Sequence, residues 1–186
     1  REAEENAQRA AAAEAEALAR AEELELVADF QAGQLSAIEP EVMGANLRRS
    51  LVEAAPEADR DALAAALSPI NFTSLALSTL EDNIFKRTIE AIDSQFESQP
   101  LVRARLLQTV ADTGRELGLL DLATDPQVRA LAIRRGQLGD DHPDTLISIG
   151  NMGVLLEAQG KLTEAEPYYR EALEKRRYLL GTDHPD

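Results

Sequence analysis

Cysteine and tryptophan are both absent from the 186 residues, and aromatic residues amount to only 4%. Without cysteine there is no disulfide, no thiolate nucleophile and no thiolate metal ligand, and the redox compartment is left open. With so few aromatics, alanine and leucine must supply most of the packing. Small alanine faces let helices approach closely, which suits repeated helix pairs. Basic residues are also scarce: 19 Lys and Arg against 34 Asp and Glu give a net charge of −15. Neutralising phosphates needs clustered Lys and Arg, so the balance points away from nucleic acid and from an anionic membrane surface as partners. No stretch reaches the roughly 18 apolar residues of a membrane span, and no secretory signal pattern opens the chain. The length suits about one domain.

What is present is an internal repeat. Arg134, Arg135, Leu138, Gly139, Asp141, His142, Pro143 and Asp144 recur 42 positions later, as from His142 to His184. The same offset aligns Gly118 with Gly160, Ala123 with Ala165, Ala130 with Ala172 and Leu131 with Leu173. A repeat of this length marks a stacked array in which each unit buries its apolar face on a neighbour. Gly118 and Gly160 stand where a helix must end in a left-handed residue. Thr163 with Glu166 reads as a capping box, and Asp144 as the N-cap of the helix before it. Each unit is thus helix, tight turn, helix, loop, over residues 101–135 and 144–179.

Upstream, residues 1–39 read as one long helix, rich in Ala, Glu and Arg at its start and more apolar toward Leu24, Val27, Phe30, Leu35 and Ile38. A coiled coil is the alternative, but no Leu/Ile heptad is sustained. Pro40 ends that helix. Residues 40–99 read as an irregular helical region, with helices over 41–52, 58–67 and 73–96, a loop over 68–72, and a second capping box at Ser78 and Glu81 as an alternative start for the last helix. Leu77, Leu80, Ile84, Phe85, Ile89 and Ile92 keep helical spacing there. Residues 100–186 hold the two repeat units. Both ends read as cut from something longer. Two units are fewer than the three or so that usually make a stable array, so the upstream helices cap one end or the chain forms a homo-oligomer.

Catalytic chemistry finds little support. The only histidines, His142 and His184, lie at equivalent positions in two Asp-His-Pro-Asp loops. That is the mark of a residue that fixes how units join, and their separation by one repeat prevents them from sharing a metal. No Ser-His-Asp set can be assembled from them. The acidic runs read as solvated helix faces, and the paired arginines as cations at helix C-termini, with phosphate binding a minor alternative. No catalytic residue, metal or cofactor is expected.

Ile149, Met152, Gly153, Leu156, Gly160, Ala165, Tyr169 and Ala172 together resemble a tetratricopeptide repeat, with the small residues where that family packs helices closest. The 42-residue length, EAEPYYREAL (164–173) and the LGTDHPD loop are similar to the kinesin-light-chain subtype. In the first unit Gly114, Pro126 and Gln127 replace Leu156, Tyr168 and Tyr169. Further upstream, VADFQAGQLSAIEPEVMG (27–44) and residues 84–119 resemble the region after the catalytic domain in repeat-bearing bacterial serine/threonine kinases. None of the kinase's own motifs occurs.

The resemblance implies an all-α, right-handed superhelix of helical hairpins whose first helices line a concave surface. Ile147, Asn151, Val154 and Glu157, with Gly150, then form a binding stripe, continued in the first unit by Arg105, Gln108, Thr109, Asp112 and Arg115. Asn151 stands out because its amide both donates and accepts. The expected function is a protein-interaction scaffold that takes a peptide or a partner helix. Its alternatives are a regulatory arm of a signalling kinase, whose parent an upstream transmembrane helix anchors, and a plain spacer. The absence of cysteine leaves the compartment open, and the expectation is a soluble chain with the cytoplasm favoured.

Overall fold

The computed structural model of the chain describes residues 38–180. The long N-terminal helix expected over residues 1–39 lies outside the described residues except at its end, where Ile38 and Glu39 are not helical; the second Asp-His-Pro-Asp loop with His184 also lies outside them. Among the described residues every regular element is helical.

Helix α1 (Pro40–Ala54) starts on its proline, and Glu39 before it is extended, as a following proline requires. A 3₁₀ turn (Glu57–Asp59) leads into α2 (Arg60–Ala66). Helix α3 (Phe72–Leu80) begins one residue earlier than its sequence suggests. Its cap is Asn71, whose side chain accepts the Ser74 backbone N–H at 3.0 Å. Ser78 and Glu81 therefore form no capping box. The Ser78 hydroxyl donates to the Ser74 carbonyl inside the helix instead.

The helix does not stop at Leu80. It widens into a π turn (Glu81–Phe85), with the Lys86 N–H donating to the Glu81 carbonyl, and continues as α4 (Lys86–Gln95). An α-helix turns residues five apart to different sides, whereas a π turn brings them together. Leu80 and Phe85 accordingly share one buried face, 4% and 1% exposed.

The two repeat units are the hairpins α5 (Pro100–Glu116) with α6 (Leu120–Leu138), and α7 (Pro143–Ala158) with α8 (Leu162–Leu180). Their turns are alike bond for bond. Leu119 N–H donates to the Gly114 carbonyl at 2.8 Å and Gly118 N–H to Arg115 at 3.1 Å. One repeat later Lys161 donates to Leu156 at 2.9 Å and Gly160 to Glu157 at 2.8 Å. This is the Schellman arrangement, which needs a left-handed residue. Gly118 and Gly160 supply it with φ of +78° and +75°. A side chain at Gly160 would meet nothing within 4 Å, so the cost of filling it is conformational alone. Gly160→Val should lose about 1–2 kcal/mol or more, and Gly160→Asn distinctly less. Urea melts that rank the two variants equal would contradict the turn geometry.

In the second unit both helix starts differ from expectation. Proline in the first position of α7 forces the residue before it to be extended, so the cap is His142, not Asp144. The His142 Nδ1 accepts the Asp144 backbone N–H at 3.2 Å, and Asp144 lies within the first turn. Helix α8 opens at Leu162, so Thr163 is already inside it, and Glu166 pairs with Arg170 one turn on.

Three apolar clusters run through the stack. Leu80, Phe85 and Ile92 meet Ala104, Leu107, Val110 and Ala130, which fixes the upstream helix on the first hairpin. Ala111 and Ala123 meet Leu155. Leu131 joins Leu146, Ile149, Met152, Leu156, Ala165 and Ala172 across the joint between the units.

Candidate functional site

The joint between the hairpins is polar at its centre. Gln108 Nε2 donates to Gln127 Oε1 at 2.5 Å and to Asp112 Oδ2 at 3.2 Å. Gln127 Nε2 donates to the Ser148 carbonyl at 3.0 Å, and the Ser148 hydroxyl donates back to Gln108 Oε1 at 3.3 Å. Arg134 Nη1 closes the set, donating to Ser148 Oγ at 2.5 Å and to the Asp144 carbonyl at 3.4 Å. Gln108, Gln127 and Ser148 are all buried. Buried polar groups of this kind are tolerated because each finds a partner. Burial pushes the Asp112 carboxyl above its usual range against the opposing Gln108 hydrogen bond, and pulls the Arg134 guanidinium below its own.

The first-unit half of the expected stripe is therefore no open groove. Gln108 is sealed under α7 with its amide committed, and Arg105, Thr109, Asp112 and Arg115 are half-buried. The physical reason is stacking: the face of α5 and α6 that Gln108 and Gln127 occupy is where the next hairpin sits.

The equivalent face of α7 and α8 carries no further helix among the described residues, and there a groove of about 280 Å³ opens. Ile147, Gly150, Asn151 and Val154 form one wall; Tyr169, Ala172, Leu173 and Arg176 form the other. Four of the five second-unit stripe positions thus come together, and Glu157 lies at the end, accepting the Tyr169 hydroxyl proton at 2.5 Å. Local desolvation, then that carboxylate, pushes the Tyr169 phenol up to about 12.

The Tyr169 ring packs over Gly153, where an added Cβ would lie 2.8 Å from the ring. That contact explains why a glycine is needed in the middle of α7. The Asn151 amide has no hydrogen-bond partner among the described residues.

Exposure separates the two equivalent faces. Gln127 is 1% exposed and its counterpart Tyr169 is 37%; Leu131 is 5% and Leu173 is 41%. Ile147 and Val154 are also open. The half of the groove on α8 was missing from the expected site. Its signal was available, since Tyr169, Leu173 and Arg176 sit 42 residues after Gln127, Leu131 and Arg134. What the spacing could not say was which copy is covered.

The loop between the units is held by ion pairs. Arg135 takes both carboxylate oxygens of Glu171, at 2.7 and 2.8 Å, and Lys175 reaches Asp141 at 2.6 Å. Arg134 and Arg135 thus serve the joint.

Hairpins of helices joined by glycine turns and stacked in one register define a helical-repeat protein. Residues 85–178 match the tetratricopeptide repeat family, and with half of its length in that match the chain belongs to this family. The match begins in the π turn, ahead of the boundary at Pro100 drawn from the 42-residue register. Repeats of this family generally mediate protein–protein interactions and are typically non-catalytic. No curated protein matches the chain. No helix among the described residues is long and apolar enough to cross a membrane.

Proposed function

We propose that this protein is an interaction scaffold that takes an amphipathic partner helix in the groove between α7 and α8. The observation that carries it is the pairing of two equivalent faces. The one on α5 and α6 holds a helix, α7, while the one on α7 and α8 presents half-exposed Ile147, Val154, Tyr169 and Leu173. Apolar patches of this kind, rimmed by polar groups, mark sites of association. A helix is the favoured occupant because α7 seats on the equivalent face of α5 and α6, laying Leu146 and Ile149 against Leu131. Asn151 and Arg176 supply the polar contacts that set its register.

The test is selection of helical peptides against the protein, followed by titration with the double variant Ile147→Glu, Leu173→Glu. Burying two carboxylates in an apolar seat should weaken binding at least tenfold, about 1.4 kcal/mol or more. Leu162→Glu, a change away from the groove lining, should leave it unchanged. Peptides that bind the double variant as tightly as the parent would remove the groove from the function. A finer reading, the regulatory arm of a bacterial serine/threonine kinase of which the repeats are the sensing part, is supported by the order of segments 27–44 and 84–119. A kinase domain encoded ahead of residue 1 would establish it, and a parent without one would end it.

A further inference from the structure

Ser148 is the residue of α7 on which the first hairpin closes. Its carbonyl accepts the Gln127 amide, its hydroxyl donates to Gln108, and Arg134 donates to the same hydroxyl. The residues 42 positions after these three partners are Gly150, Tyr169 and Arg176, and all of them line the groove between α7 and α8. A helix seated there as α7 sits on α5 and α6 would present one residue to all three. They leave it a different space. Gly150 has no side chain where Gln108 has a long one, and the Cβ it lacks would meet nothing nearer than Arg176 Nη2, at 3.9 Å. The Tyr169 ring is drawn further along α7, over Gly153 and onto Glu157. A notch remains over Gly150, and the exposed Ile147, Val154 and Leu173 line the groove around it.

Given the proposed seating of a helix in this groove, we infer that the partner helix carries a large apolar side chain, the size of leucine, where α7 carries Ser148, and an acidic residue four positions before it. Size follows from the walls. A serine there would leave the notch unfilled and its apolar lining in water, whereas a leucine fills about the space that the Gln108 side chain takes in the joint between the hairpins.

The acid follows from Arg176. Its counterpart Arg134 is occupied by α7, which offers the Asp144 carbonyl and the Ser148 hydroxyl, while the Asp144 carboxylate favours the Arg134 charge. Arg176 has no hydrogen bond or ion pair among the described residues. Asp144 precedes Ser148 by four positions, one helical turn, and lies in the first turn of its helix. A partner carboxylate in that place meets Arg176 and also suits the N-terminal end of the partner helix.

The probe is a helix-stapled synthetic peptide of the α7 sequence, residues 143–158, with and without Ser148→Leu, titrated by fluorescence anisotropy. On the parent protein the substituted peptide should bind roughly tenfold more tightly, the gain from burying a side chain of that size. Gly150→Gln refills the notch, so on that protein the advantage should fall to about threefold or less. Ranking one peptide pair on two proteins cancels the peptides' own helicity. In the peptide, Asp144→Asn should weaken binding to the parent about threefold and leave binding to an Arg176→Gln protein unchanged; equal losses on the two proteins would strike the acid. An advantage kept in full on Gly150→Gln, no advantage on the parent, or no binding by either peptide would overturn the inference. Binding that is lost on Ile147→Glu, Leu173→Glu keeps the groove reading whichever way the pair ranks, and binding that survives the double variant would end both.

Discussion

Gly44→Ala should destabilise the protein by about 3 kcal/mol, the upper part of the range for overpacking. The direction is the informative part. In an open helix interior the same change should stabilise by roughly 0.5–1 kcal/mol, because alanine has the better helix propensity. At Gly44 the new Cβ would lie 2.7 Å from the Phe72 carbonyl carbon and from the Thr73 nitrogen, and 2.8 Å from the Phe72 oxygen. These are backbone atoms in the first turn of α3, a turn held by the Asn71 cap and by Phe72 in the core. They cannot swing aside as a side chain can. Gly136 in α6 is the matched control: nothing lies within 4 Å of its missing Cβ, so Gly136→Ala should raise stability. Urea melts of the two variants should move in opposite directions. A Gly44→Ala protein as stable as the parent would show that α1 and α3 do not cross as described.

Phe85→Ala should cost about 3–5 kcal/mol, the range for emptying a buried aromatic site. Phe85 is 1% exposed, closes the π turn, and packs among Leu80, Leu107 and Val110, where the upstream helix meets the first hairpin. Against a typical total of about 5–15 kcal/mol for a folded domain, that is a large share. The loss should show in a chemical denaturation midpoint, with circular dichroism confirming that the helices remain below it. Ile84→Ala, one residue away and only half-buried, should cost less. If the order of the two were reversed, the chain would be running as an uninterrupted α-helix through residues 81–85.

Much of this architecture is legible from the chain itself. The 42-residue register locates both hairpins, and α6 and α8 start and end one register apart, at Leu120 and Leu162 and at Leu138 and Leu180. Glycine turns are readable because only glycine takes their backbone angles cheaply. Helix starts were harder. Asp144 looked like a cap, but Pro143 settles the matter in favour of His142, since proline belongs in the first helical position. The π turn left only a faint sign, the five-residue step from Leu80 to Phe85. Gln127 was the least legible of all. It stands where the second unit has Tyr169, yet its amide bridges Gln108 and Ser148 across the joint. Such a bond depends on two other helices, and no local pattern encodes it.

That polar joint also bears on how such an array can be assembled. Gln108 and Gln127 form a keyed lock with Ser148 of α7, whereas the matching face one unit on offers Gly150 and Tyr169 in their places. The two hairpins share a backbone plan but not a connector. A tandem copy of the second hairpin set in place of the first would meet α7 with an aromatic ring where a glutamine amide is required. The serine carbonyl would then lose its donor. The order of the units is therefore written into their side chains, and the hairpins cannot be shuffled like interchangeable bricks.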